Sequence, residues 1–140
     1  MRGVRHDLKF STDSELDRPV RQGADFYLAF QLYDELPTPD SQGRFTDLTG
    51  LTFRSQFRAG GVAGDVELEV VDADFIREID EFGEPWVVLH RRGHDPERST
   101  DTRRMTAAAG AYDIEVVDGT EVREVLYGDY DLAYEATRLE

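Results

Sequence analysis

Cysteine is absent from this 140-residue chain, so disulfide bonds and thiolate metal sites are excluded. Long apolar runs are also absent, because no stretch approaches the roughly 18 residues that a membrane-spanning helix needs. The amino-terminal residues lack the apolar core of a secretory signal peptide, so secretion by that route is not expected. We predict a single domain that folds on its own hydrophobic core and has no membrane partner.

Basic residues are scarce. Thirty acidic and sixteen basic residues give a net charge of −14, which disfavours nucleic acid and anionic membranes as partners. Lys9 is the single lysine, and the other basic residues are arginine. Two explanations stay open. Either a genome of high GC content favours arginine codons, or the acidic surface is a salt adaptation, with self-repulsion screened by salt. Only the second explanation predicts loss of the fold at low salt.

Recognisable catalytic sequences are missing as well. No serine lies in a nucleophile-elbow sequence. The glycine cluster at 59–64 precedes alternating residues rather than a helix, which indicates a hairpin connection and not a phosphate-binding loop. His90 and His94 are four residues apart, but Gly93 and Pro96 disfavour the helix that would bring them onto one face for a metal.

Acidic pairs are expected by chance in a chain with thirty carboxylates. Asp72 with Asp74, and Asp129 with Asp131, offer oxygen ligands to a hard cation, but neither pair lies in an EF-hand frame. No two carboxylates are marked as a glycoside-hydrolysing pair, whose separation is a three-dimensional quantity. We predict no enzyme activity, no cofactor and no dedicated metal site.

The chain does contain segments in which apolar and polar residues alternate. Two such runs lie between Gln22 and Arg58, and successive side chains of a strand point to opposite faces. The first run, at 25–33, has these residues on its apolar face: Phe26, Leu28, Phe30 and Leu32. The second run, at 51–58, has these: Leu51, Phe53 and Phe57. Both runs are predicted to be half-buried strands.

The middle of the chain gives a mixed pattern. The segment at 70–82 fits either a short helix or an irregular strand. Trp86–His90 is a compact apolar run between Pro85 and Gly93, which predicts a buried strand. Good helix formers at 102–109 predict one helical turn, with Gly110 as its carboxyl-terminal cap.

The last third is the most regular part of the sequence. Alternation at 112–116 predicts a strand, followed by a tight hairpin turn at Asp118-Gly119. The returning strand at 122–127 slips in phase at Val125-Leu126, which indicates a bulge or a strand covered on both faces. A further turn is predicted at Gly128-Asp129, before a final strand at 130–134.

Together these elements predict an all-β fold, an Ig-like antiparallel β-sandwich of about eight strands with one short helical turn. The sandwich domain is expected to span residues 18–140. Residues 1–17 are polar and mixed, and they are expected to form an arm or a loosely held first strand.

Tyrosine and arginine side chains on the polar face of the first two strands are candidates for a contact surface. Tyrosine is enriched at protein interfaces, and it also suits stacking on sugar rings. We predict a subunit contact, with the following residues sharing one outward face: Tyr27, Tyr33, Arg54 and Arg58. The alternative is a carbohydrate-binding module in which Tyr27, Tyr33 or Trp86 stacks on sugars.

Four short motifs, in order between residues 20 and 137, resemble a family of small virion domains of tailed phages. This family is typified by the amino-terminal domain of baseplate upper proteins. The motifs are Gly23-Ala24-Asp25-Phe26, Asp47-Leu48-Thr49-Gly50 with Arg54 and Arg58, Gly110-Ala111-Tyr112-Asp113, and Leu126-Tyr127-Gly128. The chain departs from the family pattern in its acidity, its long 34–47 loop and its acidic 72–85 segment.

The resemblance implies an Ig-like sandwich that serves as a non-enzymatic structural adaptor in a virion. Its location would be the tail, the baseplate or the neck, or the capsid surface as a decoration protein, after synthesis in the host cytoplasm. Its partners would be other virion proteins and copies of itself, with a ring or a trimer expected from virion symmetry.

Overall fold

The computed structural model describes residues 4–9 and 18–135, which form a β-sandwich. In chain order its strands are β1 (Val4–Arg5), β2 (Val20–Arg21), β3 (Phe26–Phe30), β4 (Tyr33–Glu35), β5 (Arg44–Phe45), β6 (Leu51–Ala59), β7 (Val66–Val70), β8 (Phe75–Ile79), β9 (Pro85–Arg91), β10 (Ala109–Asp118) and β11 (Glu121–Ala133). Eight of these described strands have three residues or more. The predicted all-β sandwich is confirmed. Within the described residues, no helix is long and apolar enough to cross a membrane.

Two main sheets form the layers of the sandwich. The larger sheet has the order β1-β11-β10-β6-β7, with β2 also pairing with β11. The smaller sheet has the order β3-β9-β8, and β4 pairs with β5 in a separate hairpin. All pairings are antiparallel except those of β1 and β2, which run parallel to β11.

Aromatic side chains fill the space between the two sheets. Phe26 and Phe30 of β3 meet Phe57 and Phe53 of β6, with ring centroids 5.4 and 6.0 Å apart. Phe57 also stacks on Tyr112 of β10 at 4.9 Å. The apolar faces predicted for the first two runs are therefore confirmed, since both runs turn those faces into this core.

The predicted strand at 25–33 divides into β3 and β4. Phe30 still pairs with Val87 of β9, whereas Tyr33 pairs with Phe45 of β5. Between them Leu32 stays buried, and its carbonyl oxygen accepts a hydrogen bond from the Thr46 amide at 2.9 Å. The alternation continues through the break because the side chains keep their phase while the backbone changes partner.

The undecided segment at 70–82 contains both a 3₁₀ turn, Asp72–Asp74, and the strand β8. Asp72 accepts a hydrogen bond from the Phe53 amide at 2.8 Å and pairs with Arg77 at 2.8 Å. Arg77 in turn donates to the Leu51 carbonyl oxygen at 2.7 Å. This ion pair covers the part of the β6 edge that β7 does not reach.

Two glycines in the last third have structural roles that differ from those predicted. Gly110 belongs to β10 and caps no helix; the 3₁₀ turn Thr102–Arg104 ends before it. Gly128 makes no turn, because β11 runs unbroken through it. A Cβ on Gly128 would lie 2.1 Å from the His6 carbonyl oxygen, so close backbone packing requires glycine there.

The predicted phase slip is a β-bulge. Ile114 pairs with Leu126, while the next residue, Glu115, pairs with Glu124, which leaves Val125 as the extra residue. The hairpin turn is also close to the prediction. Its two-residue loop is 119–120, and the positive φ of 61° belongs to Gly119.

Part of the predicted amino-terminal arm lies against β11. β1 pairs with β11, and Leu8, which is buried, forms a bridge with Tyr130. The Tyr112 hydroxyl donates a hydrogen bond to the His6 carbonyl oxygen at 2.5 Å. Residues 1–3 and 10–17 of this arm, and residues 136–140, lie outside the described residues.

The long connection from β9 to β10 is held by a buried arginine. Arg91 pairs with Asp95 at 3.2 Å and donates to the Thr100 carbonyl oxygen. Asp101, which is fully buried, accepts from the Asp95 amide at 2.8 Å, and the Thr102 hydroxyl donates to the Ala24 carbonyl oxygen at 2.7 Å. Long ordered loops of this kind need such internal contacts, so this connection is a built part of the fold.

Candidate interaction surfaces

The four predicted contact residues lie on different surfaces. Tyr27 projects from the outer side of β3, whereas Arg54 and Arg58 project from the outer side of β6. The inner sides of β3 and β6 face each other across the core, so their outer sides point in opposite directions. Tyr33 lies on the β4–β5 hairpin. The expectation of one shared outward face is wrong, and the role of each residue as a contact stays a prediction.

Apolar side chains cover much of the outer face of the smaller sheet. Ala29 of β3, Val88 of β9 and Ile76 of β8 form one row across its three strands. Tyr27, which is 61% exposed, lies in the next row, opposite His90, and the two rings stack at 4.4 Å with planes 1° apart. We name six of the outer side chains of this sheet the aromatic face: Tyr27, Ala29, Ile76, Trp86, Val88 and His90. The charged Glu78, opposite Trp86, lies beside them.

Hydrogen bonds hold the Tyr27–His90 stack in place. His90 Nε2 lies 3.1 Å from Asp25 Oδ2, and the Gly93 amide donates to Asp25 Oδ1 at 2.9 Å. The Gly93 amide, and after it His90, lower the pKa of Asp25 below its usual value. Asp25 is therefore a stable carboxylate that positions the imidazole under the tyrosine ring.

The other aromatic candidates are engaged locally. Trp86 is half-buried and donates from Nε1 to Asp80 Oδ2 at 2.9 Å. This bond, with the Glu84 amide, lowers the pKa of Asp80. Tyr33 stacks on Phe45 at 4.6 Å. Tyr33 lies on a separate hairpin from Tyr27 and Trp86, so the three aromatic rings do not form one sugar-stacking platform.

Charged side chains dominate the outer face of the larger sheet. Arg54, Glu115 and Glu124 lie side by side in one row across β6, β10 and β11. The next row contains Gln56, Asp113 and Tyr127. We name these two rows the charged face.

Carboxylates of the charged face crowd one another. Burial, and after it the nearby Glu115, raises the pKa of Asp113. Burial also raises the pKa of Glu124, with Asp113 and Glu115 adding to the effect. Arg54 Nε lies 3.5 Å from Glu115 Oε1, and this ion pair offsets part of the repulsion between the carboxylates.

A shallow depression lies beside the charged face and has a volume of about 370 Å³. Its walls include Arg5 and Arg58 as well as the acids Asp113 and Asp129. Arg58 is engaged within the fold, since it donates to Gln56 Oε1 at 2.6 Å and to the Gly64 carbonyl oxygen at 2.9 Å. Mixed charges on an open sheet suit a polar contact with another protein.

The positions of some of these residues could have been predicted from the sequence. Counting back from a two-residue turn after Asp118 places Glu115 opposite Glu124, and the structure has that pair. The row of Ala29, Val88 and Ile76 had no such signal, because it depends on β9 lying between β3 and β8, which are distant in sequence. The alternation of each strand predicts the face that a side chain occupies, but not its neighbour on the next strand.

Metal ligation has no support in the described geometry. Within residues 4–9 and 18–135, no group of three or more His, Asp or Glu side chains is arranged to hold a metal ion. His94 lies 3.2 Å from an Arg103 nitrogen. Asp74 binds Arg98 at 2.9 Å, and Asp129 binds Arg5 at 3.1 Å, so one carboxylate of each acidic pair is a partner of arginine.

Comparison with known proteins gives no family. No model of a protein family matches the chain, and no curated protein matches it.

Proposed function

We propose that this protein is a non-enzymatic structural subunit of the virion of a tailed virus, an adaptor or accessory component of the tail, baseplate or neck. The observation that carries the proposal is the aromatic face. A rigid sheet presents a row of apolar side chains with Tyr27 and Ile76 exposed, as a surface that packs against another protein does. The virion setting comes from the motif resemblance.

The motifs that carry the resemblance have structural roles here. Gly23 has a φ of 82° in the turn before β3, and Asp25 ties that turn to the Gly93 amide. Asp47 accepts a hydrogen bond from the Thr49 amide at 3.0 Å, and Gly50 has a φ of 78° just before β6. Because the motifs set the entries to core strands, they support kinship in fold with the virion domains.

The proposal is tested first by gene neighbourhood and then in particles. Genes for a portal, a terminase or tail components beside this gene are expected, and so is the protein itself in purified particles by mass spectrometry. The double change Ile76→Lys and Val88→Lys should leave the fold intact, since both side chains lie outside the core cluster, and abolish incorporation into particles. A metabolic neighbourhood, or unchanged incorporation of this variant, would contradict the proposal.

Carbohydrate binding is the second candidate, and one observation favours it. The Tyr27 ring is held flat against His90 and is largely exposed, an arrangement that suits stacking on a sugar ring. A glycan array tests it, with Tyr27→Ala expected to abolish any binding and Tyr33→Ala expected to preserve it. An array without any bound glycan would reject this function.

A further inference from the structure

The strand β3 forms one edge of the smaller sheet. It pairs with β9 on one side, and within residues 4–9 and 18–135 no strand pairs with its other side. Leu28, at the centre of β3, packs against the core but is only half-buried, whereas Phe26 and Phe30 on the same face are buried. Exposure of an inward side chain at mid-strand is what an open sheet edge produces.

The backbone groups of Tyr27 and Ala29 point to this open edge. The far strand of the sheet, β8, sets the direction. There the Phe75 amide donates to the Asp72 carbonyl oxygen, and the Phe75 carbonyl oxygen accepts from Arg77 at 2.8 Å. Phe75 thus uses both backbone groups outside the β8–β9 ladder, so its neighbours form that ladder. Alternation across β9 then directs the amides and carbonyl groups of Tyr27 and Ala29 away from β9.

The β3 edge carries none of the usual protection against strand pairing. Proteins protect open edges with charged side chains, proline or a bulge. The opposite edge of the same sheet has Arg77 and Glu78 in β8. The edge strand β7 of the larger sheet has Glu69 and Glu67, and Glu67 also accepts a hydrogen bond from the Ala107 amide at 2.9 Å. In contrast, β3 has no charge, no proline and no register shift.

The sequence of β3, Phe-Tyr-Leu-Ala-Phe, is complementary to itself in the antiparallel direction. When two copies pair about Leu28, Phe26 of one lies opposite Phe30 of the other, and Tyr27 lies opposite Ala29. Residues of the same face oppose each other, as a continuous sheet requires. On the outer face each large ring meets a small side chain. On the inner face the two half-buried Leu28 side chains cover each other.

We infer that two copies of this chain pair through their β3 edges, antiparallel and about a two-fold axis, and so join their smaller sheets into one. Tyr27 and Ala29 of the two copies exchange backbone hydrogen bonds. The apolar row that ends at Ala29 then continues onto Tyr27 and His90 of the second copy, so the two aromatic faces become one surface. The contact is two-fold, unlike the ring or trimer that the resemblance implies.

Sedimentation velocity on the purified protein tests the pairing. A five-residue edge makes a small interface, so the measurement should run from about 10 µM to 1 mM protein. A monomer–dimer equilibrium without larger assemblies is expected, because a two-fold contact closes on itself. Raising KCl from about 0.1 to 1 M should lower the dissociation constant, since salt screens the repulsion between two chains of −14.

Ala29→Lys should raise the dissociation constant at least about tenfold, because it replaces both Tyr27–Ala29 pairs of the dimer with a charge at the edge. The variant also lowers the net negative charge, so weaker association cannot come from added repulsion. Ile76→Lys is the matched control. It makes the same change of charge on the same face, two strands away from the edge, and should dimerise normally. Circular dichroism verifies that both variants are folded.

A single introduced cysteine tests the register, because the chain has none of its own. Leu28→Cys places the two sulfurs opposite each other at a position without backbone hydrogen bonds, where Cα atoms lie about 4.5 Å apart. Mild oxidation should therefore give a disulfide-linked dimer. Tyr27→Cys is at a more exposed position but faces Ala29, so it should cross-link much more slowly. An equimolar mixture of Tyr27→Cys and Ala29→Cys should form mixed dimers.

Four results would each overturn the inference. The first is a chain that stays monomeric up to about 1 mM. The second is faster cross-linking of Tyr27→Cys than of Leu28→Cys. The third is loss of the dimer in Ile76→Lys, which would mean that the aromatic faces stack on each other. The fourth is slow hydrogen exchange of the Tyr27 and Ala29 amides in the dilute monomer, which would mean that the chain covers its own edge.

These outcomes are independent of the proposed virion role. A monomeric chain whose gene lies among tail genes would overturn the edge pairing alone. A two-fold dimer of a chain from a metabolic gene cluster would overturn the virion role alone.

Discussion

Phe57 illustrates how a single side chain stabilises this sandwich. It is fully buried, and its ring lies 5.4 Å from those of Phe26 and Tyr130. Phe57→Ala should lower the free energy of unfolding by about 3–5 kcal/mol, because the surrounding rings are too rigid to fill the cavity. Urea denaturation measures the loss. Tyr27→Ala, on the outer side of β3, should cost about 1 kcal/mol. Similar losses for both would show that the assignment of faces is wrong.

Asp113 is expected to destabilise the protein at neutral pH. Its raised pKa means that the folded state holds its proton more readily than the unfolded state, whose value is 3.8. The charged Asp113 therefore lowers the free energy of unfolding at high pH, and this penalty disappears as the pH falls through the folded pKa towards 3.8. Asp113→Asn should stabilise the protein at pH 7, and the difference should shrink to zero below pH 3.8. Urea denaturation at several pH values checks this.

The matched control for that measurement is Glu69→Gln, which removes an exposed carboxylate from the same sheet. It should change stability little at pH 7. An Asp113→Asn variant that is less stable than the unchanged protein at pH 7 would contradict the account of a crowded, desolvated carboxylate.

At the scale of elements, the parallel pairing of β1 with β11 depends on one glycine. Residues 4–9 exchange backbone hydrogen bonds with β11, as between the Asp131 amide and the Leu8 carbonyl oxygen at 2.7 Å. Gly128→Ala would place a methyl group against the His6 carbonyl oxygen and displace this segment. Hydrogen exchange should accelerate at Leu8 and Asp131. Protection should persist in β6 and β10, which lie inside the sheet.

Tyr127→Ala is the control for that change, since it alters the neighbouring exposed side chain without touching the backbone contact. It should leave the exchange of Leu8 and Asp131 unchanged. Acceleration in both variants would mean that the segment is held by the tyrosine side chain and not by close backbone packing.

The connection from β9 to β10 is a second element whose order rests on one side chain. Arg91→Met should loosen residues 92–104, because Asp95 would lose its buried partner and the Thr100 carbonyl oxygen its donor. Limited proteolysis should then cut within this connection. Arg92→Met, one residue further along and exposed, should leave the cutting pattern unchanged. Cutting of both variants at the same rate would contradict a structural role for Arg91.

At the scale of the whole molecule, the net charge of −14 predicts a dependence on salt. The free energy of unfolding should rise between about 0.01 and 1 M KCl, because screening weakens repulsion among the thirty carboxylates. We expect the protein to stay folded at the lowest salt, since hydrogen bonds hold carboxylates such as Asp25 and Asp80 in their charged form. Circular dichroism against KCl measures this. Unfolding at low salt would instead favour salt adaptation.

Much of the fold could be predicted because strands have a strict period of two. The faces of β3 and β6, the hairpin at 118–121 and the bulge at Val125 all follow from local alternation and turn chemistry. Gly110 and Gly128 were misread because glycine has two uses that look alike in sequence. A turn needs a positive φ, whereas a close backbone contact needs the missing side chain.

The candidate surfaces were less predictable than the core. Tyr27 and Arg54 were correctly assigned to polar faces, but alternation along a strand carries no information on which sheet the strand joins. The stack of Tyr27 on His90 depends on a pairing across more than sixty residues.

The sequence by itself determined the class of fold, the buried face of the main strands and the excess of negative charge, since each is a property of neighbouring residues or of composition. Only the tertiary structure decided that Tyr27 and Arg54 point away from each other, and that Tyr27 stacks on His90. Both depend on strand order, which arises from contacts between segments distant in the chain.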